Sequence, residues 1–235
     1  MPNTTSKETV CESRVFALVW RALTLAACCW GLYPMFFGGA PFTGHSLCYF
    51  TTQSNLLIAA LFAVLLVGTL LQLIKSGPHG EAFGIRPWLQ LGIVFFIQIT
   101  FLVFAFVLSG TLFSMGSGIG FSNFLLHYAV PLMALADWAL FMPHGRVSFR
   151  HAAFWLAYPA AYVVFSFIRA GLGQPFFDGS RFPYFFMDAD VLGWNLLWIC
   201  PLFFAGFFAL GCLIVAADKW IASLLNRKTK QEDGK

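Results

Sequence analysis

Six long apolar runs, at residues 15–37, 47–74, 88–115, 124–142, 152–168 and 191–217, leave this chain few ways to fold. A helix needs about 20 mostly apolar residues to cross the hydrocarbon of a bilayer, where every backbone N–H and C=O must be bonded within the structure. Each run is near that length or longer. The runs are continuous, whereas the strands of a membrane barrel alternate apolar and polar residues. The sequence therefore predicts an all-α polytopic membrane protein, a six-transmembrane-helix bundle. Composition agrees: 59% of the 235 residues are hydrophobic and 10% charged, against about 45–50% and 25% in a soluble domain. That balance excludes a soluble globular domain, a disordered chain and a nucleic-acid binder. Gly and Pro clusters punctuate the runs at Gly38-Gly39-Ala40-Pro41, Gly77-Pro78-His79-Gly80, Gly116-Ser117-Gly118 and Pro143-His144-Gly145. The first run exceeds the 7–15 residues of a signal-peptide core, so it reads as a retained span.

Lys and Arg fix the expected orientation. With six spans, Lys7, Arg14, Lys75, Arg86, Arg146, Arg150, Lys219, Arg227, Lys228, Lys230 and Lys235 fall on one side, and only Arg169 and Arg181 on the other. Positive residues mark the cytoplasmic side. This predicts both termini cytoplasmic: a tail at 1–14, one transmembrane domain at 15–217 and a basic tail at 218–235. The net charge of +4 has the same origin and asks for no nucleic acid; the partners expected are membrane lipids.

No cofactor or metal is expected. There is no P-loop and no G-x-G-x-x-G after a strand. The six cysteines show no C-x-x-C or Cys/His spacing. The pair Asp188-x-Asp190 lacks the further hard ligands of a cation site, and a contact between an Asp and Arg181 accounts for it.

Polar residues at membrane depth are costly, so each is a functional hypothesis. Thr51-Thr52-Gln53-Ser54-Asn55 interrupts the outer end of the second run. Thr52 lies about 8 Å below that end at 1.5 Å per residue, and His127 lies about 5 Å below the same face on the fourth run. A hydroxyl becomes a nucleophile when a base such as His removes its proton, so Thr52 and His127 are candidate catalytic residues for acyl transfer. Thr51 competes with Thr52 for the first role. The same side chains also serve as hydrogen-bonding glue between helices. Arg21 and Asp137 match in depth at about 8–9 Å above the inner end, which predicts a salt bridge. The loop 169–190 is long and aromatic, as lids and binding segments often are.

Three motifs carry a resemblance. Tyr49-Phe50-Thr51-Thr52-Gln53-Ser54-Asn55-Leu56-Leu57, then His127-Tyr128-Ala129-Val130-Pro131 with Asp137-Trp138, then Phe182-Pro183-Tyr184-Phe185-Phe186-Met187-Asp188 together resemble the bacterial Pr-six-Pr membrane proteins. That group is distantly similar to the androgen-induced (FAR-type) family of six-span intramembrane threonine hydrolases. The resemblance implies a bacterial inner-membrane protein and a lipid-ester substrate. It also implies a Thr-x-x-Asn motif whose nucleophile is Thr52, with His127 as its partner. Two rival functions stand beside it. One is a non-catalytic scaffold or lipid-binding protein. The other is a small-solute transporter using Arg21, Asp137, Gln98 and His127.

Overall fold

The computed structural model describes residues 8–37, 44–110, 120–173, 175–176 and 179–233, and among residues 228–233 only the side chain of Thr229. The Gly38–Pro41 and Gly116–Gly118 breaks, the last residues of the third run, and Lys7, Phe177, Asp178 and Lys235 lie outside the described residues. Six helices are long and apolar enough to cross a membrane. They are α1 (Arg14–Phe37), α2 (Phe50–Ser76), α3 (Pro87–Leu108), α4 (Phe121–Phe141), α5 (Phe149–Leu172) and α6 (Leu196–Asp233). Among the described residues there is no strand, only a bridge between Ser13 and His79. The chain is an integral, multi-pass membrane protein with an all-α six-helix bundle.

Proline sets where these helices depart from regularity. Pro131 has no N–H for the carbonyl four residues back, which is that of His127, and its ring crowds that turn. The helix responds with a π turn at Leu125–Ala129 before regular winding resumes at Val130. Pro159 likewise has no N–H for the Trp155 carbonyl, and α5 breaks at Leu156 between Phe149–Trp155 and Ala157–Leu172. Starts follow capping chemistry: Pro87 opens α3, and Ser148 with His151 forms a capping box on α5.

Boundaries shift from the sequence expectation in two places that matter. Residues 45–48 form a short 3₁₀ turn and Tyr49 is extended, so α2 begins at Phe50. Thr51 therefore occupies the second position of its helix. At the other end of the chain, α6 runs unbroken through the expected tail to Asp233.

α1 to α4 enclose one core, built from Cys28, Ile58, Phe62, Leu65, Ile97 and Val130 among others. A second core joins α3 to α5 and α6 around Phe95, Trp155 and Val215. Gly92 permits that contact, since a Cβ there would sit 2.6 Å from Trp155 Nε1. α6 packs on the Phe149–Trp155 half of α5 and stands off the Ala157–Leu172 half.

The last carbonyl of α2, that of Ser76, has no helical partner, and Arg14 reaches it together with three carbonyls of the turn that follows. Its guanidinium donates to Ser76 O (3.1 Å), Gly77 O (2.9 Å), Glu81 O (3.0 Å) and His79 O. Gly80, at φ +110, is required there: a Cβ would lie 2.5 Å from Arg14 Nη2. Arg14→Ala is expected to cost about 2 kcal/mol, the scale of hydrogen bonds to a charged group. Unfolding titrated with SDS in mixed micelles reads this; a loss below about 0.5 kcal/mol, the range of featureless surface substitutions, would mean that water serves these carbonyls as well.

Candidate active site

The polar cluster of α2 meets α3, α4 and the loop before α6 at one end of the bundle. Depth on a helix does not fix rotation, and consecutive residues lie about 100° apart around the axis. The structure resolves that ambiguity. Thr51 Oγ1 lies 3.2 Å from His127 Nε2. Thr52, also buried, turns toward α1 and donates to Met35 Sδ at 3.4 Å. The residues brought together are Thr51 and His127, and the expected contact of Thr52 with His127 is not formed.

Hydrogen bonding assigns the tautomer of His127. Its Nδ1 lies 2.9 Å from the Asn123 carbonyl, which only accepts, so Nδ1 carries the proton. Nε2 is then free to accept from the Thr51 hydroxyl. The ring stacks on Phe104 at a centroid distance of 3.8 Å. The π turn that Pro131 imposes on α4 holds His127, and Phe104 opens another π turn in α3 at Phe104–Leu108. π turns of this kind are frequent at functional sites.

A third hydroxyl completes the group. The Thr51 N–H donates to Tyr184 Oη at 3.3 Å, and the two hydroxyl oxygens lie 3.4 Å apart. Since the Thr51 hydroxyl is spent on His127, the Tyr184 phenol donates to Thr51 Oγ1. Burial pushes the Tyr184 phenol above its ordinary pKa, its bonds to Thr51 acting the other way, so it stays a proton donor at neutral pH. Tyr184 is held by aromatic contacts with Tyr49, Tyr162 and Phe186. Thr51 sits in the first turn of α2, where Tyr49 offers no side-chain cap and the helix dipole favours developing negative charge.

Thr51 and Tyr184 face an apolar cavity of about 70 Å³. It fills the space where α6 stands off α5, between Pro159 and Tyr162 on one side and Phe203 and Phe207 on the other. Its other two hydroxyls are engaged elsewhere: Thr100 bonds Ser54 at 2.8 Å and Tyr162 donates to Cys48 O at 2.8 Å.

The remaining polar residues of the cluster tie helices together. Asn55 Nδ2 donates to Thr51 O (2.9 Å) and Leu126 O (3.2 Å), which uses both of its protons. Cys28 Sγ lies 3.2 Å from Asn55 O. Gln53 bonds Leu47 O and Tyr158. Gln98 Nε2 donates to Pro131 O at 2.9 Å.

Below this site lies an apolar layer, and below that the buried pair. Arg21 Nε and Nη2 meet the two Asp137 oxygens at 2.8 and 3.3 Å. Its Nη1 reaches Thr69 Oγ1 (2.5 Å) and the carbonyl of Phe83 (2.8 Å). Arg21 is 0% exposed and Asp137 2%, so the pair is fully enclosed, not snorkelled to the surface. The salt bridge expected from depth is formed, and Arg21 also satisfies the non-helical backbone after α2.

In the loop before α6, Asp188 caps Ala189–Leu192 and accepts from Ser180, while Asp190 pairs with Arg181. Among the described residues, no three His, Cys, Asp or Glu side chains gather as a metal site would require. A further pair, His144 with Asp218, is buried at the far end of the bundle at 2.9 Å. Nothing in the sequence signals it, since one residue is in a turn and the other in α6.

No family model, curated protein or solved structure matches the chain.

Proposed function

We propose that the protein is an intramembrane acyl hydrolase with Thr51 as nucleophile and His127 as general base. The observation that carries this reading is the 3.2 Å contact between the Thr51 hydroxyl and the unprotonated His127 nitrogen, at the wall of an apolar cavity. In the first step Thr51 Oγ1 attacks the carbonyl carbon of an ester while its proton passes to His127 Nε2. Negative charge develops on the carbonyl oxygen, beside the Tyr184 phenol and the first turn of α2. Collapse breaks the ester C–O bond, and the alkoxide leaves with the proton from His127. Water, deprotonated by His127, then cleaves the acyl-threonine and restores both residues. The Asn123 carbonyl holds the imidazole in the working tautomer throughout.

The apolar walls of the cavity are chemically suited to hydrocarbon, which supports a lipid ester as the substrate class. The likeness to the FAR-type hydrolases points to the same class and the same histidine, with the nucleophile moved one residue to Thr51. The Lys and Arg asymmetry supports cytoplasmic termini and hence a site near the outer face, and the resemblance to the bacterial Pr-six-Pr proteins supports a bacterial inner membrane. A solute route is disfavoured by the buried apolar residues Ile58, Leu61 and Phe62 of α2 and Val130 and Ala134 of α4, which separate Thr51 and His127 from Thr69 and Asp137 along those helices. The helix ties of Ser54, Asn55 and Gln98 favour the scaffold as the second reading.

Covalent labelling by a fluorophosphonate tests the assignment in purified, folded protein. Labelling of wild type at Thr51, lost in His127→Ala, is expected; a folded wild type that takes no label would leave the scaffold as the better account. As Thr51 Oγ1 bonds to the carbonyl carbon, the Tyr184 phenol turns its proton to the developing oxyanion, so Tyr184→Phe is expected to lower the hydrolysis rate about 10²- to 10³-fold with little change in KM, the scale of losing one oxyanion donor. An unchanged rate would remove Tyr184 from the chemistry.

A further inference from the structure

A second, polar site lies at the opposite end of the bundle. α6 presents Lys219, Ala222, Ser223 and Asn226 along one face, at helical spacings of three and four. This face opposes the turn Gly145-Arg146 and Glu8 across a cleft of about 410 Å³. Gly145, at φ +84, allows the approach: a Cβ there would lie 2.9 Å from that of Ala222.

The charge in the cleft can be followed atom by atom. At its floor, Asp218 Oδ1 meets His144 Nδ1 and Oδ2 accepts from the Gly145 N–H, each at 2.9 Å. His144 Nε2 reaches the Ala139 carbonyl at 3.1 Å. His144 Nδ1 and the Gly145 N–H take up the two Asp218 oxygens, so this carboxylate is turned to the floor and away from a ligand. Arg146 contacts Glu8 and keeps 55% of its side chain exposed. Lys219 extends over the Phe149 ring, its Nζ 5.8 Å from the centroid. The open walls of the cleft thus carry two cations, Lys219 and an Arg146 in contact with Glu8, with a hydroxyl and an amide beside them.

Its level in the bundle identifies the ligand. The cleft lies where α4 ends and α5 begins, beside Phe149, which opens α5 at 48% exposure and lies under Lys219. Exposed aromatic residues at helix ends mark the depth of lipid headgroups, and basic pockets between helices at that depth bind them. We propose that Arg146 and Lys219, with Ser223 and Asn226, form a binding site for a single phosphate group, either a phospholipid headgroup or free phosphate. The site is independent of the chemistry at Thr51.

Native mass spectrometry of the full-length protein in detergent tests this, with phosphatidylglycerol, diacylglycerol and inorganic phosphate as probes. One phosphatidylglycerol should be retained in preference to diacylglycerol. Arg146→Gln and Lys219→Gln should each weaken it about fivefold, the scale of one cation at a charged lipid surface, while Lys219→Arg should retain it. Displacement of the lipid by inorganic phosphate would identify free phosphate as a ligand of the same site; failure to displace it would identify the headgroup. Equal retention of phosphatidylglycerol and diacylglycerol, with no response to phosphate, would overturn the proposal. So would unchanged binding in a folded double variant.

Discussion

Thr51→Ala is expected to lower ester hydrolysis by at least about 10³-fold, the scale of losing a nucleophile that works with its base as a unit. Thr52→Ala should stay within about twofold of wild type, because Thr52 donates to Met35 on α1 and touches neither His127 nor the cavity. The contrast between neighbours is the informative part. A general loosening of the start of α2 would depress both variants together, whereas an activated Thr51 separates them. Thr51→Ser keeps a hydroxyl at the same place, so it should restore a substantial share of the rate. If Thr52→Ala were the dead variant and Thr51→Ala the active one, α2 would have to be rotated by about 100° from its position here, and the proposed mechanism would fail.

Arg21→Leu is expected to destabilise the bundle by about 3–5 kcal/mol, since it leaves Asp137 buried without its cation. Asp137→Leu should be similarly severe, because Arg21 would keep only Thr69 and backbone carbonyls as partners. The double variant Arg21→Leu/Asp137→Leu should be milder than either single one: it removes both charges together and leaves Thr69 and the Phe83 carbonyl without the bonds Arg21 gave them. Titration with SDS in mixed micelles, run on all three, reads the coupling. Additive losses would show that the two side chains contribute separately and that the pair is not a unit. Simple exchange of the two charges should not restore stability, since Arg21 also bonds Thr69 and Phe83 O from where it stands.

The same two cases show what could be read in the sequence and what could not. Six spans are legible because apolar length maps directly onto bilayer thickness. Arg21 and Asp137 are legible because helical rise turns a residue count into a depth, and two isolated opposite charges at one depth have few other partners. The choice between Thr51 and Thr52 is a question of rotation about the helix axis. That is set by where α2 starts and how α1 and α4 pack on it, and neither follows from hydropathy. Tyr184 lies in a loop, where no periodicity predicts position, so its contact with Thr51 was not foreseeable from its motif. Asn55 shares the face expected for a catalytic partner, yet its amide is fully used in joining α2 to α4. His144 and Asp218 are invisible for a different reason: a turn residue and a charge at the end of an apolar run both look solvated until α6 is seen to run on past the rim.

The Arg21–Asp137 bridge also has a history during synthesis. Its partners are 116 residues apart in the chain. At about 5–20 residues per second, Asp137 is made roughly 6 to 23 s after Arg21. For that interval α1 carries a guanidinium below the bilayer surface, at a cost of up to the about 2.5–3.5 kcal/mol of a central charge, with its anion not yet made. Thr69 and the backbone after α2 arrive sooner and give the cation an early, incomplete shelter. Nascent chains stalled before residue 137 should therefore hold α1 less firmly in the bilayer than chains stalled after α4. The first helix of this protein would then be committed to its place only when the fourth is delivered.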